Sequence, residues 1–461
     1  MPKASSMDFD DIPAWAISLS MELTYVRFHL WAGALLAFIL CFYVPSYSNG
    51  FVCDDFQFLE RINFINATSY FTKSWGYGNE YRPIVPLSYA LDSLLSRTNP
   101  IGYHLTNTLL HAANAILIIA IAMRIGVRRT ASILAGFIYA IDPVAHEAVL
   151  WISGRPVVMG AFFVLACCYS FLKATSGERH SALRWWFAAY FSFLLALGTY
   201  EVAIVTPLLC AILCSVAGEP TRNYGFHVTV CMIIALGYAL AWNVFFNFRI
   251  TRFPVEHSVI GALSSMSQAW THAFHGSLSP AGGIAFATML VSFLRKGQGR
   301  IIVAAAAAWA FCAYLPFFIV HGYADRFAYL SSASLAVLLA SALLEFAGHS
   351  LRAQIVLVVL LLSYFATGMQ HRITTWKEAG NIAQAITDDI KQAVPVFPLD
   401  KQLILLNVPA MHKQAYVYLT SLDRALSRKY GASIAFSTTL DSADRNAIVF
   451  EYSNGHMRRK D

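Results

Sequence analysis

Two adjacent carboxylates, Asp54 and Asp55, follow Cys53 shortly after the first long apolar run. Acids beside hydrocarbon are costly unless something uses or compensates them. In such a pair one carboxylate can act as a general base while the other orients it or binds a cation; the alternative is an exposed acidic turn or a helix N-cap. A second concentration of polar types runs from Asp142-Pro143-Val144-Ala145-His146-Glu147 to Ser153-Gly154-Arg155. Glu201 follows at a later turn, and Asp325-Arg326 with Tyr329 at another. Arginines such as Arg155 and Arg326 neutralise phosphate oxygens through charge-assisted hydrogen bonds, unless they are consumed in structural ion pairs with nearby acids.

His104, Asn107, His111 and Asn114 recur at i, i+3, i+7 and i+10, one stripe of a helix. Inside a membrane such a stripe faces protein or a wet cavity, not lipid. His104 and His111 are two turns apart, about 10 Å of rise, which is too far to chelate one metal together. His104 sits high enough to reach an external site, whereas Asn114 reads as an interhelical hydrogen-bonding residue.

The elements that must position these groups follow from composition. Of 461 residues, 57% are hydrophobic and 13% charged, with a mean hydropathy of +0.54; soluble domains carry about 25% charged residues. Apolar runs of spanning length give about eleven transmembrane helices, with cores near 28–47, 103–123, 130–142, 157–173, 184–199, 202–217, 225–246, 276–294, 301–320, 328–346 and 353–370. The fold class expected is a polytopic α-helical membrane protein with a small C-terminal α/β domain. The net charge of +7 is spread in short clusters between spans, so no nucleic-acid partner is expected. The eight cysteines form no disulfide framework. The first 26 residues are mixed and acidic, which predicts no cleavable signal peptide.

Basic residues at Arg124, Arg128 and Arg129, at Lys173, Arg179 and Arg184, at Arg222, at Arg295, Lys296 and Arg300, and at Arg352 fall on one side of this topology, which the positive-inside rule makes cytoplasmic. The chain then divides into a cytoplasmic tail, 1–26; a transmembrane domain, 27–370, with a first external loop over 48–102; and an external α/β domain, 371–461. Two amphipathic helices are expected at the external surface: 83–95, with Ile84, Leu87, Leu91, Leu94 and Leu95, and 257–276. In the tail the pattern predicts a helix over 376–394, a strand at 401–406, a helix over 412–430 capped by Gly431, and strands at 432–437 and 446–452.

Taken in order, Asp54-Asp55, Tyr81-Arg82-Pro83-Ile84, Pro100-Ile101-Gly102-Tyr103-His104-Leu105-Thr106-Asn107, Leu110-His111, Glu147 through Arg155, Thr206-Pro207-Leu208 and Ala324 through Ser331 resemble the GT-C glycosyltransferases. The branch most similar is that of the transmembrane, TPR-containing O-mannosyltransferases and their bacterial relatives, over residues 50–335. Two departures stand out. The family's His-Pro-x-His-x-Glu is here Asp142-Pro143-Val144-Ala145-His146-Glu147, and the TPR repeats give way to the 371–461 segment.

The resemblance implies transfer of a hexosyl or pentosyl unit, with inversion, from a polyprenyl-phosphate sugar as co-substrate to a glycan, lipid or protein acceptor. Asp54 would be the base, with Asp55 as its orienter, and the two could share a divalent metal; no other cofactor is implied. Arg82, Arg155 and Arg326 are the donor-phosphate candidates. His104, Asn107, His146, Glu147, Glu201, Asp325 and Tyr329 would line the site. The rival readings are a transporter or flippase of lipid-linked saccharides and a non-catalytic relative of the scaffold. Ala-rich, Lys-poor spans point to a bacterial inner membrane with the site in the periplasm. A eukaryotic source would place it in the endoplasmic reticulum lumen, where Asn66-Ala67-Thr68 is a glycosylation triplet.

Overall fold

Apolar runs that cross hydrocarbon must satisfy every backbone N–H and C=O within the segment, so they fold as helices. A computed structural model describes residues 14–61, 64–74, 80–176, 179–246, 297–319, 324–398, 401–434, 436–438 and 447–460, with isolated positions between 260 and 294. Its helices are α1 (Ala14–Phe42), α2 (Asp55–Arg61), α3 (Phe64–Ser69), α4 (Ile84–Ser96), α5 (Pro100–Arg124), α6 (Arg129–Ala140), α7 (His146–Leu150), α8 (Arg155–Thr175), α9 (Arg179–Leu197), α10 (Thr206–Val216), α11 (Thr221–Phe246), α12 (Gly297–Tyr314), α13 (Tyr329–Ala347) and α14 (Leu351–Ala393). Among the described residues, six helices are long and apolar enough to cross a membrane, or seven if α6 and α7, bent by 46° at Pro143, count as one. The expected span at 276–294 and the expected surface helix at 257–276 lie outside the described residues.

Large apolar side chains point outward on α9 and α11, among them Phe187, Phe191, Ile233, Leu236 and Phe245. Such surface suits lipid tails, which are as apolar as leucine. α4 carries the same logic. Its leucines Leu91, Leu94 and Leu95 are exposed, while Val85, Tyr89, Ala90 and Asp92 form the buried face. A helix lying at a bilayer surface would turn that leucine stripe into lipid.

α14 departs from expectation. The spans near 353–370 and the helix near 376–394 are one helix of 43 residues, about 65 Å long at 1.5 Å per residue. That is roughly twice the hydrocarbon thickness, so half of it must project beyond the bilayer. The boundary expected at residue 371 falls inside it. Its first half exposes Ile355, Val356, Val359 and Leu360, whereas its second half buries Met369, Arg372, Ile373, Trp376 and Ala379 on one face. Two glycines bring it close to its neighbours. A Cβ at Gly368 would lie 2.8 Å from the Pro143 side chain, and one at Gly380 would lie 3.0 Å from the Gly50 backbone nitrogen.

Beyond α14 stand four strands in the order β4 (Phe436–Ser437), β1 (Gln402–Leu406), β5 (Ala447–Ser453), β6 (His456–Lys460). β1 runs parallel to β4 and β5, with Leu403 opposite Phe436 and Ile448; β6 is antiparallel to β5. The helix expected over 412–430 is corrected. Its first part is a hairpin, β2 (Met411–His412) with β3 (Ala415–Tyr416), and only Leu422–Tyr430 is helical, as α15. Ala415 and Val417 are buried and Leu419 is exposed, which suits extended chain, and Ser421 at φ +63 breaks any helix before α15. Gly431, at φ +69, closes α15 as expected, and its N–H is bonded to the Ser427 carbonyl. The unit docks on α14 through Lys413 and His412 to Glu378, Lys429 to Asp388, and His456 to Asp389.

Candidate active site

At the end of the bundle where the C-terminal unit docks, the turn after α1 brings the acid pair inward. Cys53 adopts φ +47, and its N–H donates to the Val417 carbonyl at 2.9 Å. The two carboxylates then diverge. Asp55 is buried. Its Oδ1 accepts from the Ser153 N–H at 2.9 Å and the Ser153 hydroxyl at 2.5 Å, and its Oδ2 accepts from the Val52 N–H at 3.0 Å. Burial raises its pKa to about 7 against the pull of those donors. Asp54 is only half-buried, and its Oδ1 accepts from the Thr420 hydroxyl and, at 3.8 Å, from the Cys53 thiol. Burial pushes that thiol up to about 12, so it stays protonated.

Asp55 already faces three donors, which leaves Asp54 as the less occupied carboxylate of the pair. Among the described residues, no three His, Cys, Asp or Glu side chains are grouped to hold a metal ion.

The three arginines have separate fates. Arg155 is wholly buried; its guanidinium bonds Asp92 at 2.6 Å, Asn107 Oδ1, the Tyr103 carbonyl at 3.0 Å and Ser88 at 3.3 Å, and lies over the Tyr89 ring. Its donors are taken by protein groups, which sets it apart from the two more exposed phosphate candidates. Arg82 makes a two-pronged pair with Glu201, at 2.7 and 2.8 Å, beside the Tyr200 ring, and is 19% exposed. Burial alone would depress its pKa; Glu201 reverses this and holds it above the ordinary value. Arg326 pairs with Glu147 through its side chain and, at 3.0 Å, through its backbone N–H; it also donates to the Tyr416 hydroxyl at 2.9 Å and remains 25% exposed.

The residues expected to line the site also sort by burial. Asn107 is buried and donates to the Trp151 carbonyl at 3.0 Å, and His104 is bonded to the Asn49 carbonyl at 3.1 Å. Tyr329 is buried against His111 at 2.8 Å and Asn114 at 3.1 Å. These side chains hold the loop in place and do not face an open groove. His146 bonds Asp325 at 2.6 Å, and the Trp376 indole N–H donates to His146 Nδ1 at 2.9 Å. An indole nitrogen can only donate, so Nδ1 is bare and Nε2 carries the proton given to Asp325.

Three contributors escaped sequence reasoning. Tyr416 donates to Glu147 at 2.5 Å and packs on Trp151 and Trp376, while Thr420 sits on Asp54. Neither carries a signal in its own neighbourhood. Asp92 does: it is a lone acid among the leucines of α4.

Tyr81, next to Arg82 in sequence, lines a groove of about 440 Å³ together with Phe71, Thr72, Tyr238, Ala241, Trp242 and Phe245. It opens along the outward face of α11.

A membrane bundle of this architecture, with its polar cluster at one end and a mixed sheet docked over it, has the GT-C fold. ArnT from Cupriavidus metallidurans, solved with undecaprenyl phosphate, superposes with a TM-score of 0.53 at 14% identity, covering 89% of this chain and 86% of that one. The oligosaccharyltransferase of Archaeoglobus fulgidus, solved with a tethered acceptor peptide, gives 0.50 at 12% identity over 88% and 64%. No family model matches the chain. In sequence the chain is similar to protein O-mannosyl-transferase TMTC3 of Mus musculus, 29% identical over 160 residues, and to Tmtc2 of Drosophila melanogaster, 29% over 225 residues. Those matches cover 32% and 45% of this chain but only 17% and 24% of the relatives. The chain is thus a GT-C-fold integral membrane protein resembling the transmembrane O-mannosyltransferase branch.

Proposed function

We propose that this protein transfers a sugar from a polyprenyl-phosphate donor to a hydroxyl-bearing acceptor at the end of the bundle beneath the C-terminal unit, the periplasmic or lumenal side of the membrane. The observation that carries the reading is the difference within the acid pair. Asp55 is locked by three donors, while Asp54 is half-exposed and already accepts a hydroxyl proton's hydrogen bond. That is the geometry a general base needs.

The acceptor oxygen attacks the anomeric carbon from the side opposite the phosphate, its proton passes to Asp54, and the bond from the anomeric carbon to the phosphate oxygen breaks. Negative charge then develops on the lipid phosphate. Arg82 and Arg326 are the cations we assign to it, because both stay partly exposed. Each is held in orientation by an acid, Glu201 or Glu147, and neither acid leaves the guanidinium's full donor fork occupied. The aromatic groove lined by Tyr81 suits the first isoprenoid units of the donor. Relatives named O-mannosyl-transferases favour a hexose and a protein acceptor.

Purified protein supplied with radiolabelled dolichyl- and undecaprenyl-phosphate sugars should consume a donor, and Asp54→Asn should slow this by about 10²–10⁴-fold, the usual contribution of a general base. Full turnover in folded Asp54→Asn would sink the assignment. Movement of intact donor across vesicles without sugar transfer would indicate a flippase instead. Mass spectrometry of co-purified lipid identifies the donor.

A further inference from the structure

The C-terminal unit does more than cover the site, because it places a hydroxyl on the acid assigned as base. Thr420 Oγ1 donates to Asp54 Oδ1, with the Cys53 thiol at 3.3 Å and the Ser421 hydroxyl at 3.4 Å as its other neighbours. The segment leading to it is anchored at several points. The Val417 carbonyl accepts from the Cys53 N–H at 2.9 Å, the Tyr418 hydroxyl donates to the Ala383 carbonyl at 3.0 Å, and the Tyr418 ring stacks on Phe56. Four residues before Thr420, Tyr416 bridges Glu147 and Arg326. The same short stretch therefore touches both the acid pair and one of the candidate phosphate-binding arginines.

The backbone is shaped to make this contact. Cys53 at φ +47 and Ser421 at φ +63 are both in the left-handed region that side chains rarely adopt. One immediately precedes Asp54 and the other immediately follows Thr420. Strained conformations persist where surrounding structure imposes them, and they cluster at functional sites. Thr420 itself is half-buried, not sealed in the core.

We infer that Thr420 is an internal acceptor, a self-glycosylation site of this protein. The inference rests on the reading of Asp54 as base. A hydroxyl already donating to the base, and tethered in the same chain, competes at a very high effective concentration with any dissolved acceptor. With a polyprenyl-phosphate sugar bound, Thr420 Oγ1 bonds to the anomeric carbon, the proton goes to Asp54, and the lipid phosphate leaves. The product is an O-glycoside on Thr420, and atoms and charge balance without a further reactant. The Ser421 contact on Oγ1, at 3.4 Å, is long for an O–H···O bond and leaves a lone pair for attack.

The test uses the full chain in nanodiscs with radiolabelled dolichyl- and undecaprenyl-phosphate mannose, glucose and arabinose. Trypsin releases the segment 414–424 between Lys413 and Arg424, and fragmentation locates the sugar. Label is expected at Thr420, retained in Thr420→Ser, lost in Thr420→Val, and formed at least about 100-fold more slowly in Asp54→Asn. Because the decisive reading is made on the wild-type chain, misfolding of a variant cannot rescue the idea. Donor consumed by water or by another acceptor with 414–424 unlabelled overturns this inference alone. Label on Ser421 or Tyr418 in place of Thr420 overturns it as well. A wild-type chain that consumes none of the donors overturns it together with the transferase reading.

Discussion

Replacing Asp92 with Asn isolates the buried charge of Arg155. The two groups meet at 2.6 Å, with Arg155 wholly buried and Asp92 nearly so. The amide keeps the shape of the carboxylate and leaves the guanidinium uncompensated. With charge centres about 4 Å apart and an effective dielectric of about 20, the attraction removed is about 4 kcal/mol. Breaking one partner of a buried pair costs about 3–5 kcal/mol in general. Asn107, the Tyr103 carbonyl and Ser88 still bond the guanidinium, so about 3 kcal/mol is expected, more than a hundredfold in the unfolding constant. Equilibrium unfolding in mixed dodecylmaltoside–SDS micelles measures it. A second variant separates charge from shape: Asp92→Leu with Arg155→Met removes both charges and should recover most of the loss. A cost below about 1 kcal/mol for Asp92→Asn, the range of an exposed pair, would refute the reasoning. So would a double variant as unstable as the single one. Transfer should fall in Asp92→Asn as well, since Arg155 steadies Asn107 and Asn107 holds the Trp151 carbonyl two residues from the Ser153 that binds Asp55.

Gly154→Ala would put a Cβ 2.5 Å from the Glu147 carbonyl oxygen and 2.7 Å from that of Ala148; these are backbone atoms that cannot yield cheaply, so the variant should lose about 1–3 kcal/mol in the same titration, and an unchanged midpoint would show that the 147–154 turn can open. Tyr416→Phe deletes a hydroxyl that donates to Glu147 at 2.5 Å and accepts from Arg326 at 2.9 Å, so a loss of about 1.5–3 kcal/mol is expected for hydrogen bonds to charged groups; no change would mean that the Glu147–Arg326 pair needs no bridge. Asp55 has its carboxyl raised from 3.8 to about 7 by burial. As the pH climbs above about 4 the unfolded chain releases this proton before the native one does. Native stability should therefore fall by up to about 1.4 kcal/mol per pH unit until about pH 7 and level off above it. Asp55→Asn lacks that component, and equal slopes in wild type and variant between pH 4 and 7 would contradict the assignment.

Hydrophobic run length is a local property, and so are residue types. The sequence by itself therefore determined that this is a polytopic helical membrane protein of GT-C type, roughly where most of its helices lie, and that acids and arginines punctuate them. Even there, run length divides one helix into two. Hydropathy drops after residue 370 as α14 leaves the bilayer, yet its backbone hydrogen bonding continues unbroken to Ala393. What only the tertiary structure decided was the partners and exposure of each charged group. Arg155 and Arg326 are alike in sequence, but one is enclosed by Asp92, Asn107 and Tyr103 while the other stays partly exposed beside Glu147. Asp54 and Asp55 are adjacent, yet one is locked by Ser153 and the other meets Thr420 from 366 positions away. Whether a buried charge binds a ligand or braces the fold depends on which partners the helices bring to it. Those partners come from distant segments whose meeting no single stretch of the chain encodes.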